Sequence, residues 1–261
     1  MIDLHHHCLP DVDDGPREWD EAVAMCRAAE EEGIETIVAT PHVLRGRWKA
    51  FSIPELEARI EELRSRVGKT PRLLLGSEYF FAHDIVEVLN ARNAIVPLAG
   101  SRYVLIELAA NSVPPMIEQP LYRMQLEGWV PILAHPERNL VFQAKPDALA
   151  ELLTHGVRTQ VTAGSLTGEF GPQARHAAET FLRRGLVHFV ATDAHNMTKR
   201  MPRIREAKAT LEELVGPEVA DALIRRNPLA VVENGALPYD PDPVPEPESG
   251  FFTRLRSFFV R

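Results

Sequence analysis

Cysteine is scarce: Cys8 and Cys26 are the only two in 261 residues. That is too few for a disulfide framework and suits a reducing cytoplasm. No apolar run approaches the roughly 20 residues of a membrane-spanning helix, and the N-terminus lacks the basic-then-apolar order of a secretory signal. Positive charge is also short. Lys and Arg total 29 against 37 Asp and Glu, for a formal net charge of −8, so the chain has no general attraction to nucleic acid, whose binding rests on neutralising phosphates. What remains is an ordinary globular composition, 45% hydrophobic and 25% charged, long enough to bury one sizeable core.

Short β-rich runs alternate with amphipathic stretches along that core. The runs are 2–4, 36–40, 72–76, 103–108, 130–134, 157–162 and 187–192. Between them lie helical patterns such as EWDEAVAMCRAAEEEG, in which Ala22, Met25, Cys26 and Ala29 mark one face and Gly33 ends the helix. Seven strands alternating with helices imply parallel pairing in a wound sheet or barrel. The strands are nearly continuously apolar, as expected when both faces are covered.

The informative feature is the kind of residue found where each strand ends. The chain opens MIDLHHHCLPDVDDGP. In an extended strand His5 and His7 share a face while His6 points elsewhere, and the turn Asp13-Asp14-Gly15-Pro16 returns a carboxylate over the strand end. Taken alone, this segment reads equally as a polar loop. The later strands decide: they end at His42, at Glu78, at Glu107, at His135 and at Asp193-Ala194-His195. Only the sixth ends without an obvious ligand, in Thr162-Ala163-Gly164-Ser165. In a parallel barrel these C-terminal ends meet on one face, where barrel enzymes place their chemistry. Imidazoles and carboxylates converging there spell a polynuclear metal site. His83, His155, His176 and His188 read as surface or packing residues.

The donor set suits manganese, iron or zinc and does not choose between them. Asp14, Glu78, Glu107 and Asp193 carry about −4 against about +6 from three divalent ions, which leaves a centre that attracts a phosphate dianion. Closely spaced ions clamp the attacking and leaving oxygens of an in-line displacement and activate a water, so a metal-bridging hydroxide attacking phosphorus is the expected mechanism. Arg47, Arg138 and Arg200 each come shortly after a ligand-bearing strand and can hold phosphoryl oxygens with their planar forks.

HHHCLPDVDDG, ATPH, GSE, VLIEL, AHPER, TAGSLTGEFG and HFVATDAHN, in this order, resemble the polymerase-and-histidinol-phosphatase (PHP) superfamily. VLIELAANSVPP, AHPER and SLTGEFG narrow the likeness to its bacterial manganese-dependent protein tyrosine phosphatases, associated with capsule and exopolysaccharide synthesis. The resemblance covers roughly residues 1–235. It implies a distorted (β/α)7 barrel with three metals. One takes His5, His7, Glu78 and Asp193; a second takes Glu78, Glu107 and His135; the third takes Asp14, His42 and His195. It also implies that Arg138 and Arg200, and less directly Arg47, hold phosphate, and that the substrate is the phosphotyrosine tail of a membrane-associated bacterial tyrosine kinase. This chain departs from the family pattern in having His6 where cysteine is common and in the sequence GSEYFFAHD. The alternatives are a small-molecule phosphatase of the histidinol-phosphatase kind and a non-catalytic metal-binding scaffold for a kinase.

The expected organisation is a barrel over 1–236, a Pro- and acid-rich linker over 237–250, and an amphipathic segment over 251–261. On a helix, Phe251, Phe252, Leu255, Phe258 and Phe259 form one apolar face flanked by Arg254, Arg256 and Arg261. That face either packs on protein or docks on a membrane surface or a membrane-bound kinase. Deleting residues 249–261 tests this: docking predicts unchanged hydrolysis of a small soluble phosphoester and weaker sedimentation with anionic vesicles. Equal sedimentation with a lowered melting temperature or a broken oligomer would favour packing.

Overall fold

The computed structural model describes residues 1–43, 51–91 and 94–244. Arg47, residues 245–250 of the expected linker and the amphipathic segment 251–261 lie outside the described residues. The strands are β1 (Ile2–His6), β2 (Thr36–Ala39), β3 (His42–Val43), β4 (Arg72–Leu75), β5 (Glu78–Phe80), β6 (Tyr103–Glu107), β7 (Val130–Ala134), β8 (Arg158–Thr162) and β9 (Phe189–Ala191). All their pairings are parallel, in the orders β1-β2-β4 and β3-β5-β6-β7-β8-β9.

Among the described residues nine strands stand where the sequence suggests seven, because two strand paths are each broken once. Thr40-Pro41 interrupts β2 and β3, and Gly76-Ser77 interrupts β4 and β5. Pairing resumes in the same register, with Ala39 opposite Leu75 and then His42 opposite Glu78. The ring closes where β1 meets the end of β9: the His7 N–H donates to the Ala194 carbonyl (2.8 Å) and the Asp193 N–H to the His5 carbonyl (2.8 Å). The break at Gly76 makes the barrel uneven. A Cβ there would lie 2.9 Å from Leu98 Cδ2, so glycine lets the turn at Leu98–Gly100 pack against the β4 edge. The result is a distorted seven-path α/β barrel.

Strand side chains alternate between two apolar layers. Tyr103 and Leu105 of β6 point into an inner cluster with Ile2, Leu4, Ile132 and Phe189. Val104 and Ile106 point outward to a larger cluster shared with the helices. Helix α1 (Trp19–Glu31) buries Ala22, Met25, Cys26 and Ala29, of which Ala22, Cys26 and Ala29 join that outer layer, and Gly33 lies just beyond the helix at φ +88°, a conformation open to glycine at low cost. Helix α2 (Ile53–Val67) begins with a Ser52–Glu55 capping box and buries Leu56, Ile60, Leu63 and Val67.

The end of the barrel opposite the strand C-termini is closed by helical residues 217–232, from which Val231 enters the inner cluster. Residues 237–244, without regular secondary structure, run along this end. Asp240 pairs with Arg158 (2.6 Å) and His188 (3.3 Å), and the Val244 N–H donates to the Arg184 carbonyl. Asn227, fully buried, donates to the carbonyls of His188 (2.9 Å) and Tyr239 (2.7 Å) and accepts from the Tyr239 N–H. Asn227→Ala would strand these buried groups and should lower unfolding stability by about 1–3 kcal/mol, read by denaturant titration of the full chain, with metal content unchanged. Unaltered stability would show that this clasp does not hold residues 237–244 down.

Candidate metal centre

His5 and His7 owe their aim to an irregularity in β1. Asp3 faces Ile37 and His6 faces Ala39, so β1 carries one extra residue between the two pairings. Such bulges re-aim side chains beside functional sites. His5 and His7 converge, with Nε2 atoms 3.1 Å apart. Across the barrel mouth, His135 and Asp193 stand just past β7 and β9 in the left-handed region, at φ +37° and +53°. Non-glycine residues adopt this strained backbone where surrounding structure enforces it, and such residues cluster at functional sites. Here the enforcement is visible: the His135 N–H is held by the Gln160 carbonyl (2.7 Å) and the Asp193 N–H by that of His5.

The structure brings together nine of the residues singled out in the sequence. Their ligand atoms fall into four overlapping groups, each within 4.8 Å: His5, His7 and Asp193; His5, Glu78 and His135; His42, Glu78 and Glu107; and His7, Asp14, His42 and His195. Glu78 belongs to two groups, and its Oε2 lies 3.3 Å from His5 Nε2 and 2.9 Å from His42 Nδ1. Among the described residues, His6 joins no such group. Its ring is fully buried and burial lowers its pKa to about 3. His83, His155 and His176 are exposed, and His188 sits at the far end of the barrel beside Asp240.

The orienting partners were not legible from strand ends. Gln160 Oε1 contacts His5 Nδ1 at 2.8 Å, so β8, which ends without a ligand, contributes from within. Asp13 Oδ2 meets His7 Nδ1 at 2.7 Å and accepts the His42 N–H at 2.9 Å. The contacts to His5 and His7 leave each ring's other nitrogen facing the centre, the arrangement by which outer groups fix imidazole ligands. Asp3 is fully buried and accepts from the Thr192 N–H and hydroxyl. Burial raises its pKa to about 6 despite those bonds. Only Asp13, beside Asp14 in the turn, carried a signal in the sequence.

The charges are mutually dependent. Burial disfavours the imidazolium of His42, but Glu78 and Asp14 outweigh it and lift its pKa to about 11; His5 rises to about 9 against burial through Glu78 and Asp193. The carboxyls of Glu78 and Asp193 stay well below the usual range, since the neighbouring cationic groups overcome desolvation. Burial, with Arg138 adding to it, lowers His135 to about 3. Several buried atoms lack a hydrogen-bond partner among the described residues: Asp14 Oδ1, Glu78 Oε2, Asp193 Oδ1 and His195 Nε2. Asp14 Oδ1 lies 3.3 Å from His195 Nε2 and 3.4 Å from His42 Nε2. Orphaned oxygens and nitrogens facing a common space are what a cluster of oxygen- and nitrogen-liganded cations would satisfy. The residues fit the group.

Beside the cluster opens a cavity of about 300 Å³, lined by Asp14, His42, Glu107, Arg138, Phe142 and Arg200 among others. Arg138 and Arg200 each donate from Nη2 to Asp193 Oδ2, at 2.6 and 2.5 Å. The other oxygen of that carboxylate faces His5 and His7.

The Capsular polysaccharide synthesis, CpsB/CapC family matches residues 1–233. The chain belongs to the CpsB/CapC family. It is 36% identical over 246 residues to the tyrosine-protein phosphatase YwqE of Bacillus subtilis (strain 168), covering 94% of this chain and 96% of that one. It is 30% identical over 239 residues to the tyrosine-protein phosphatase CpsB of Streptococcus pneumoniae, covering 89% and 98%. A crystal structure from work on YwqE and CpsB, described as unique metal-dependent tyrosine phosphatases, superposes with a TM-score of 0.90 at 35% identity, covering 95% of this chain and 100% of that chain. No helix among the described residues is long and apolar enough to cross a membrane.

Raised pKa values of about 9 and 11 mean that His5 and His42 carry protons at pH 7 in the metal-free CpsB/CapC chain. Ligation needs neutral imidazole, so loading the chelated protein should release about two protons and tighten as pH rises. Calorimetry in buffers of different ionisation enthalpy reads this directly. Metal uptake with no buffer dependence would contradict the charge state described.

Proposed function

We propose that this chain is a metal-dependent tyrosine-protein phosphatase that holds three divalent ions, manganese first with iron or zinc as alternatives, on His5, His7, Asp14, His42, Glu78, Glu107, His135, Asp193 and His195. The observation that carries the reading is the double use of Asp193: one oxygen faces the histidine cluster while the other receives both arginines. A phosphate-holding pair and a metal-holding cluster therefore share one carboxylate. The family membership and the full-length relatives named as tyrosine-protein phosphatases support the same reading.

The chain's own residues divide the work. Ions bound there supply Lewis acidity toward a phosphoryl oxygen and lower the pKa of a water. Arg138 and Arg200 bind the remaining phosphoryl oxygens. Their Nη2 groups are engaged by Asp193, and both side chains line the cavity and stay part-exposed to it. Gln160 and Asp13 keep His5 and His7 in the orientation the cluster needs. In the cell we assign the enzyme to the cytoplasm, acting on a membrane-associated tyrosine kinase that controls capsule or exopolysaccharide synthesis. In this reading residues 1–236 form the phosphatase, 237–250 a connecting segment and 251–261 a peripheral docking element.

Two comparisons test the proposal together. The manganese-loaded protein should turn over a phosphotyrosine peptide well ahead of histidinol phosphate, and the reverse order would favour a metabolite phosphatase. Glu78→Ala should lose metal and activity together while circular dichroism still reports a folded barrel. Near wild-type turnover with full metal content would remove Glu78 from the proposed centre.

A further inference from the structure

We propose that Phe170 is the positioning residue for both phosphate-holding arginines, its ring seating the two guanidinium groups beside Asp193; the assignment rests on the phosphatase reading above. The Phe170 ring centroid lies 4.6 Å from the guanidinium carbon of Arg138 and 5.9 Å from that of Arg200. Both distances fall within the range in which a cation is attracted to an aromatic face.

Three observations give the ring this task. The two guanidinium groups converge on one oxygen, Asp193 Oδ2, and so crowd like charges together. The Nε–H of each is buried without a partner among the described residues. Among the described residues the Asp193 bond is the one hydrogen bond that holds each fork, and the ring supplies both a surface and a negative quadrupole. Removing it would leave each arginine swinging on one hydrogen bond.

Phe170 is itself held in place. It comes just after α3 (Ala163–Thr167), where the Glu169 N–H donates to the Gly164 carbonyl at 2.8 Å. A Cβ on Gly164 would come 3.1 Å from Phe170 Cε2, so glycine lets the ring fold back over the helix. Glu137, fully buried and next to Arg138 in sequence, accepts from the Thr162 N–H (3.0 Å) and the Ser165 hydroxyl (2.6 Å). The turn carrying Arg138 and the segment carrying Phe170 are thereby locked together. The strand that brings no ligand to the cluster leads instead to the wall on which the arginines rest.

The test uses the metal-loaded full chain with inorganic phosphate as probe. Phe170→Leu keeps an apolar side chain and removes the π face, so phosphate binding measured by titration calorimetry should weaken about five- to thirty-fold. The kcat/KM for a phosphotyrosine peptide should fall by a similar factor, with metal content and melting temperature held. Phe170→Tyr should restore both to within about twofold of wild type. In an Arg138→Ala background the leucine effect should shrink, because the two residues act as one unit. Phosphate binding by Phe170→Leu equal to wild type would overturn the proposal. So would equal loss in the leucine and tyrosine variants with a lowered melting temperature, which marks a packing role. Phosphate binding is read apart from turnover, so a wild type that binds phosphate but spares phosphotyrosine would sink the phosphatase reading and leave the Phe170 comparison in force.

Discussion

Glu78, Glu107 and Asp193 are buried within a few ångströms of four buried imidazoles, with Asp14 and His135 closing the rim. Isolated buried charges are costly to take from water, and such a set persists only if each member is compensated. In the protein alone the compensation is protonic, with His5 and His42 lifted far above the ordinary imidazole range. Divalent cations would do the same job with more charge and with directed bonds. Much of the upper half of the barrel is arranged around that need, from the extra residue in β1 to the left-handed backbones at His135 and Asp193.

The division between the two ends of the barrel arises from the same constraint. Strand C-termini converge on polar, strained and partly unsatisfied groups, whereas the opposite end is closed by packed apolar residues and a fully bonded asparagine. Asp193 links the layers of the site, because its two oxygens face different tasks. A change in how the arginines sit is therefore felt by a carboxylate that also faces the histidines. This explains why the segment after β8 can matter while offering no ligand of its own.

The architecture was largely legible because buried parallel strands are written as apolar runs and helices as amphipathic ones; Ala22, Met25, Cys26 and Ala29 are the buried face of α1 as periodicity suggests. The split of two strand paths was not, since β3 and β5 are only two and three residues long and begin at the polar residues His42 and Glu78. The candidate ligands were visible because all but Asp14, which a turn brings back, stand at or just after the end of an apolar run in the sequence. Gln160, Asp3, Glu137 and Phe170 were invisible as site residues. Gln160 and Asp3 lie inside strands, and the roles of all four arise from contacts between elements far apart in the chain. Composition likewise marks 237–244 as water-seeking, but not that Asp240 meets Arg158 and His188.

Everything proposed for the site depends on these nine side chains forming a metal centre rather than a proton-balanced polar core. Anomalous diffraction from crystals of manganese-loaded protein tests it most directly. Ion density is expected within bonding distance of Glu78 Oε2, Asp193 Oδ1 and Asp14 Oδ1, with the imidazoles of His5, His7, His42, His135 and His195 turned toward it. Crystals saturated with manganese that show no anomalous density among these atoms, or density only elsewhere on the protein, would contradict it.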